Sequence, residues 1–329
     1  APAAGIRVVA TWVPAEERSR AVATLGAGKN SGSIIGLLAA PLVIGAFGWP
    51  SMFYSFGALG LVWAAAWAVL GKDREPIPAS GLAASAPAAD GQAAAEEEPI
   101  PWAQILGCVP LWGVVVAHFC HDWGMYALLT WTPSYLNKAL GYDLAGSSEL
   151  TVLPSVLAVA TAALAGTTAD RLLKDGMELT QVRKTMQAAG FLLPAACLGL
   201  LGALNPGGPG AAPLFEYPDF LPIVLIMGGV AGSSFSLAGL YASHADLNVK
   251  YSGLVNGVST TFGALAGVAS NAYAGHMLQT TGSWAQAIFL PSVACYFVGL
   301  GAYTALYDAT PLDWDAQLAA EEKEASKRE

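Results

Sequence analysis

The sequence predicts an all-α integral membrane protein, a bundle of apolar helices, and three observations predict it. Of 329 residues, 54% are hydrophobic and only 12% are charged, against roughly 25% charged in an ordinary soluble domain. Mean hydropathy is +0.49. Eight apolar segments, at 28–47, 52–71, 107–136, 150–168, 188–204, 218–242, 254–276 and 285–307, approach or exceed the ~20 residues a helix needs to cross a bilayer. Their length and their Ala, Leu and Gly content suit helices, which satisfy their own backbone polar groups in lipid. None alternates like the short strands of an outer-membrane barrel.

The first segment carries small residues four apart, Gly28, Gly32, Gly36 and Ala40. Such spacing lets helix backbones approach where lipid offers no hydrophobic drive to pack them. After the second segment, 72–105 is rich in Ala, Pro, Gly and Glu and reads as a solvated linker separating two spans from six. The third segment holds the densest polar cluster, His118, His121 and Asp122, with Tyr126 following. At 100° per residue these three ionisable groups share one helix face, and Cys120 points away. Ionisable groups inside an apolar span are costly unless they face a partner or a wet cavity, so they are candidates for function. A protonated His121 suits an anionic substrate, and His118 with Asp122, at i and i+4, suits carrying a proton.

The fourth segment ends in Gly166-Thr-Thr-Ala-Asp170-Arg171, and Arg183 and Lys184 precede the fifth. Cations at a helix C-terminus are electrostatically favoured, and the same pattern suits a latch between helix ends. In the sixth segment Ser233, Ser236, Ser243 and His244 recur at helical spacing and suit a polar pathway, with Asn256 of the seventh close by. Gly253, Gly257, Gly263, Gly267, Asn271 and Gly275 give that seventh span a second small-residue stripe. From Thr310 the chain turns charged and reads as a water-exposed tail.

Charge sets the orientation. With the N-terminal end inside and eight spans threaded, Arg7, Arg18, Arg20, Lys29, Lys72, Arg74, Arg171, Lys174, Arg183, Lys184, Lys250, Lys323, Lys327 and Arg328 fall inside and Lys138 outside, which accounts for all 15 Lys and Arg. That asymmetry follows the preference of basic loops for the cytoplasmic face. A net charge of −9 excludes a nucleic-acid binder, which needs a basic face. No P-loop, GxSxG, HExxH or dinucleotide fingerprint occurs, so neither an enzyme nor a cofactor is predicted. Cys108, Cys120, Cys197 and Cys295 lie in apolar stretches without a CxxC pair, and read as core residues rather than a disulfide or metal site.

Three stretches carry a resemblance. WVPAEERSRA (12–21) with FGWPS (47–51), AHFCHDWGMYALLTWTPSY (117–135) and SHADLNVKYSGLVNG (243–257) are similar to the anion:cation symporter family of the major facilitator superfamily, the plant and algal plastid branch above all. The resemblance implies twelve helices in two six-helix bundles, of which this chain holds the equivalents of five to twelve: a remnant of the N-terminal bundle at 1–71, the linker at 72–105, the C-terminal bundle at 106–309 and a tail at 310–329. The chain therefore looks cut from something longer, lacking a buried arginine and a carboxylate that family members use on helices one and four.

In the vesicular glutamate branch the position of His121 is a substrate-binding arginine; histidine keeps the charge but makes it pH-dependent. The resemblance thus implies a secondary active transporter of small anions, inorganic phosphate first and an organic carboxylate second, coupled to H⁺ or Na⁺ or driven by membrane potential through alternating access. His118, His121, Asp122, Tyr126, Ser236, His244 and Asn256 form the predicted substrate path. Gly166, Asp170, Arg171, Arg183 and Lys184, with Arg18 and Arg20, form the predicted gate. The expected partners are the anion, a coupling cation and the bilayer, around a monomer in a plastid envelope or thylakoid membrane, with the plasma membrane as the other possibility. The rival readings are a truncated, non-transporting or interacting chain and an anion channel.

Overall fold

The computed structural model describes residues 42–71, 100–142, 144–204, 217–218, 220–248 and 251–310, together with 32, 35–36, 39–40, 312, 314 and 318. Every regular element among them is helical. In chain order they are α1 (Trp49–Leu70), α2 (Trp102–Gly107), α3 (Val109–Leu140), α4 (Leu144–Lys174), α5 (Leu179–Leu204) and α6 (Leu221–Ser233). One turn of 3-10 helix (Ser234–Leu237), α7 (Leu240–Leu247), α8 (Ser252–Thr280), one π-helical turn (Ala285–Phe289) and α9 (Leu290–Leu306) complete the order.

Among the described residues, five stretches are long and apolar enough to cross a bilayer: Trp49–Leu70, Val156–Lys174, Leu179–Leu204, Leu221–Leu247 and Ala285–Leu306. They overlie five of the eight expected spans. Two more spans correspond to α3 and α8, which at 32 and 29 residues are long enough but fall short in apolarity. Their histidines, aspartate, asparagines and serines are the reason, and several of these face the bundle interior. Within the first expected span, 28–31, 33–34, 37–38 and 41 lie outside the described residues, as do Arg18 and Arg20; the described residues of that span are helical and end at Gly48.

The chain divides into two compact units. The first includes α1 and the start of α4; the second includes α2, α3 and everything from Leu153 onward. In the first, Gly48 adopts φ 79°, its N–H donates to the Ile44 carbonyl (2.8 Å), and Pro50 opens α1. Glycine at a positive φ, which L side chains rarely adopt, and proline in the next first turn are each suited to their place. No residue of α1 is buried, and Trp63 and Trp67 stack on its surface with ring centroids 5.5 Å apart.

In the second unit α3 is central and packs along α8 and α9, while α5 packs on α6 and α9. The core between them is aliphatic and aromatic: Leu111, Val114, Phe191, Leu198, Phe289, Tyr296 and Tyr303 are all buried. The outer surface is apolar as well, with Leu192, Leu200, Val224, Leu265, Val268, Phe297 and Val298 exposed. Contiguous exposure of this kind belongs in lipid, not water. A smaller cluster of Ala165, Ala169, Val182, Met186 and Ala238 joins the end of α4 to α5. Turns close the helices in familiar ways. Gly141 (φ 76°) ends α3 with the Tyr142 N–H on the Leu136 carbonyl (3.1 Å), and Gly176 (φ 89°) ends α4.

Candidate functional site

The helical spacing of α3 puts His118, His121 and Asp122 on the side facing α7 and α8, each at most 6% exposed. His121 Nδ1 lies 3.1 Å from Asp122 Oδ1, His118 Nε2 lies 3.5 Å from Asp122 Oδ2, and the Tyr241 hydroxyl of α7 lies 3.5 Å from Asp122 Oδ1. With Asp122 as a carboxylate, which only accepts hydrogen bonds, His121 would present its Nδ1–H to it and keep Nε2 for another partner. His118 Nδ1 meets Ser259 Oγ of α8 at 2.6 Å. His244 of α7 faces His118 edge-on with ring centroids 5.5 Å apart, and its Nδ1 donates to the Tyr241 carbonyl at 3.0 Å. Three imidazoles and one carboxylate are thus gathered inside the bundle. Cys120 faces the other way, onto α9, where Gly299 leaves room for its Cβ.

Two glycines of α8 make this gathering possible. A Cβ at Gly263 would run into Asp122 Oδ2 and stand 3.3 Å from His118 Cδ2; one at Gly267 would stand 2.8 Å from Tyr126 Cδ2. Close helix approach therefore uses only part of the predicted stripe. Among the described residues, a Cβ at Gly253 or Gly257 meets nothing within 4 Å.

The predicted path residues do not all converge. Tyr126 sits one turn beyond Asp122 against Gly267, with 37% of its surface exposed. Ser236 is buried in the 3-10 turn against Gly190 of α5, on a different helix contact from the histidines. Asn256 accepts from Thr260 Oγ1 (3.4 Å) on α8 and has no hydrogen bond to the cluster among the described residues. Tyr241 and Ser259 were not in the predicted set, although Tyr241 stands one helical turn from His244.

At the basic end of the unit a second polar constellation forms. Arg183 of α5 donates Nε to Asp246 Oδ2 (2.6 Å), Nη2 to Asp246 Oδ1 (3.2 Å) and Nη1 to the Ala238 carbonyl (3.0 Å). The Tyr307 hydroxyl donates to Asp246 Oδ2 (3.2 Å), Tyr307 stacks on Tyr303 (4.7 Å), and the Tyr303 hydroxyl bonds Ser243 (2.5 Å). A bidentate guanidinium–carboxylate pair, about 15% exposed on each side, is the strong form of an ion pair. The acid in it is Asp246 and not Asp170. Asp170 and Arg171 are exposed at the end of α4 and belong to no ion pair among the described residues; Gly166 and Lys184 are half-buried nearby, and a Cβ at Gly166 would meet nothing within 4 Å among them.

The chain matches the family model described as Major Facilitator Superfamily over residues 1–271. It is 40% identical over 296 residues to "Probable anion transporter 1, chloroplastic" of Oryza sativa subsp. japonica, covering 89% of this chain and 53% of that protein. It is 40% identical over 296 residues to "Sodium-dependent phosphate transport protein 1, chloroplastic" of Arabidopsis thaliana, with 89% and 55% covered. It is 38% identical over 307 residues to "Ascorbate transporter, chloroplastic" of the same plant, with 89% and 52% covered. The chain spans about half the length of these relatives. A helical frame with buried charge in its central helices, and a match running through most of that frame, meet in one conclusion: this membrane-spanning chain belongs to the major facilitator superfamily, in its anion:cation symporter family.

Proposed function

We propose that the protein is part or all of a secondary active transporter of small anions in a plastid envelope or thylakoid membrane. In this reading, 106–309 is the C-terminal bundle of the superfamily fold, 1–71 belongs to the N-terminal bundle, and 72–105 joins them. The observation that carries the reading is the buried cluster of His118, His121, Asp122, Tyr241 and His244. Helices in lipid tolerate such groups where they bind a substrate or an ion. With Nδ1 committed to Asp122, His121 reaches the anion through Nε2, and only its protonated form offers both a donor and a positive charge there. Anion and proton then enter the site together, which favours H⁺ over Na⁺ as the coupling ion. The Arg183–Asp246 pair closes the basic end between turnovers.

Inorganic phosphate is the first substrate, supported by the relative named for sodium-dependent phosphate transport. An organic carboxylate or a comparable organic anion is the second, supported by the relative named for ascorbate. Proteoliposomes holding the native protein test both by uptake of labelled phosphate, with ascorbate as competitor. Saturable, pH-dependent uptake lost in His121→Ala is expected. Uptake unchanged in that variant overturns the site, and conductance without saturation or coupling replaces transport with a channel.

A further inference from the structure

α7 is an eight-residue helix held near both ends by one residue of α5. Arg183 donates to the Ala238 carbonyl just ahead of it and to both carboxylate oxygens of Asp246 in its last turn. The chain is interrupted on either side, at Gly239 (φ −89°, ψ −93°) and at the extended Asn248 (φ −164°, ψ 122°). Between the two holds His244 turns its ring into the histidine cluster and is 4% exposed. Its Nδ1 contacts the Tyr241 carbonyl, which can only accept, so Nδ1 carries the proton and Nε2 is a bare lone pair. That buried Nε2 has no hydrogen-bond partner among the described residues. A buried imidazole nitrogen with a lone pair and no donor against it is suited to take a proton.

We propose that His244 Nε2 is a proton-binding site and that its occupancy releases the Arg183–Asp246 clasp through α7. The device serves the transport reading above, on which its purpose rests, but its test reads the helix and not uptake, so either can fail without the other. Protonation creates a new N–H donor that needs an acceptor. Among the described residues, the groups facing His244 are His118 on α3 and Tyr241 on its own helix. Behind them on α3 stand His121 and Asp122. From α8 comes Ser259, which does not titrate and is bonded to His118. From α5 comes Arg183, a cation already committed to Asp246. Asp246, two residues along α7, points to the opposite side of the helix.

Among the described residues the anionic acceptor within the cluster is therefore Asp122, which lies beyond the His118 ring. To approach it, α7 must turn about its two interruptions. The same turn carries Asp246 away from the guanidinium. Proton uptake at the cluster and opening of the clasp become a single movement of an eight-residue element, the pattern by which a local charge change biases a two-state segment.

The chain has four histidines, His118, His121, His244 and His276, so protein labelled with ¹⁵N-histidine in lipid nanodiscs gives a ring spectrum simple enough to assign by single substitutions. His244 Nε2 is expected to take up its proton over an acid titration of the labelled protein. Amide hydrogen exchange across 238–248, corrected for intrinsic rate, is expected to accelerate about tenfold over the same range. H244Q should remove the acid response, and D246N should exchange fast at both ends of it. A His244 Nε2 that does not titrate overturns the proposal. So does an acid response that survives in H244Q, or one lost only in H118Q. Should H244Q fail to fold, the wild-type titration and the D246N exchange decide the matter.

Discussion

His121 owes its chemistry to the carboxylate beside it. Because Asp122 occupies Nδ1, the imidazole would meet the proposed anion through Nε2, as a lone pair when neutral and as a charged donor when protonated. Apparent anion affinity is therefore expected to rise as pH falls. His121→Arg, with a fixed charge, should flatten that dependence, and His121→Ala should weaken binding roughly tenfold or more, the worth of a charge-assisted hydrogen bond. Competition binding at several pH values checks both. Gly263 is the structural counterpart: a Cβ there meets the Asp122 carboxylate, so Gly263→Ala should cost about 1–3 kcal/mol of stability by overpacking, read as a lower midpoint in thermal unfolding. Beyond the spans, Asp308 accepts from the Thr310 hydroxyl (2.8 Å) and N–H (2.9 Å) and from Thr180 (3.3 Å), which holds its carboxyl below the usual carboxylate range. Its folded value being depressed, the contribution is present above the ordinary carboxylate value and is lost as pH falls through the depressed one. Amides at 308–310 should accordingly lose exchange protection only in acid.

At the scale of elements, the broken span Leu221–Leu247 matters most. Its interruption leaves an orphan carbonyl at Ala238 and an orphan amide at Leu240, which lipid would penalise. Two α5 side chains at i and i+4 answer them: Arg183 donates to the Ala238 carbonyl, and Gln187 Oε1 accepts from the Leu240 N–H (3.0 Å). Gln187→Leu should destabilise by about 1–3 kcal/mol, since a buried donor is left without a partner. Scanning calorimetry or thermal unfolding in detergent checks it, and an unchanged midpoint would show that the break is satisfied otherwise. Discontinuous helices are found where transporters bind ions, with backbone groups freed from the helix ladder. The hydropathy of this segment reads as one continuous span. Nothing local marks the break except Gly239, because the residues that stabilise it lie some fifty positions earlier in the chain.

At the scale of the molecule, orientation is the quantity that charge alone predicts. α4 runs 31 residues between the turns at Gly141 and Gly176, about 46 Å of helix against a hydrocarbon core near 30 Å. Its two ends must therefore open on opposite faces. In sealed vesicles, a thiol introduced as Asp175→Cys should react from the side that carries most of the basic residues, and Lys138→Cys from the other. Labelling of both from one side would overturn the threading. The all-helical class and most of the spans were legible in composition and apolar run length, because a bilayer imposes the same length and the same self-satisfied backbone on every crossing segment. α3 and α8 were legible as long helices despite their polarity.

The site was legible in part, and the boundary between its two parts is a physical one. His118, His121 and Asp122 lie within one helical turn, so the 100° step per residue determined their common face from the sequence by itself, just as charge bias implied a threading. Which groups from other helices meet that face was decided only by tertiary packing: Tyr241 and His244 from α7, Ser259 and the approach allowed by Gly263 from α8, and the choice of Asp246 over Asp170 as the partner of Arg183. Periodicity determines which way a side chain leaves its own helix. What it finds there depends on crossing angles and depths set by the whole bundle, and those are not written in any one segment.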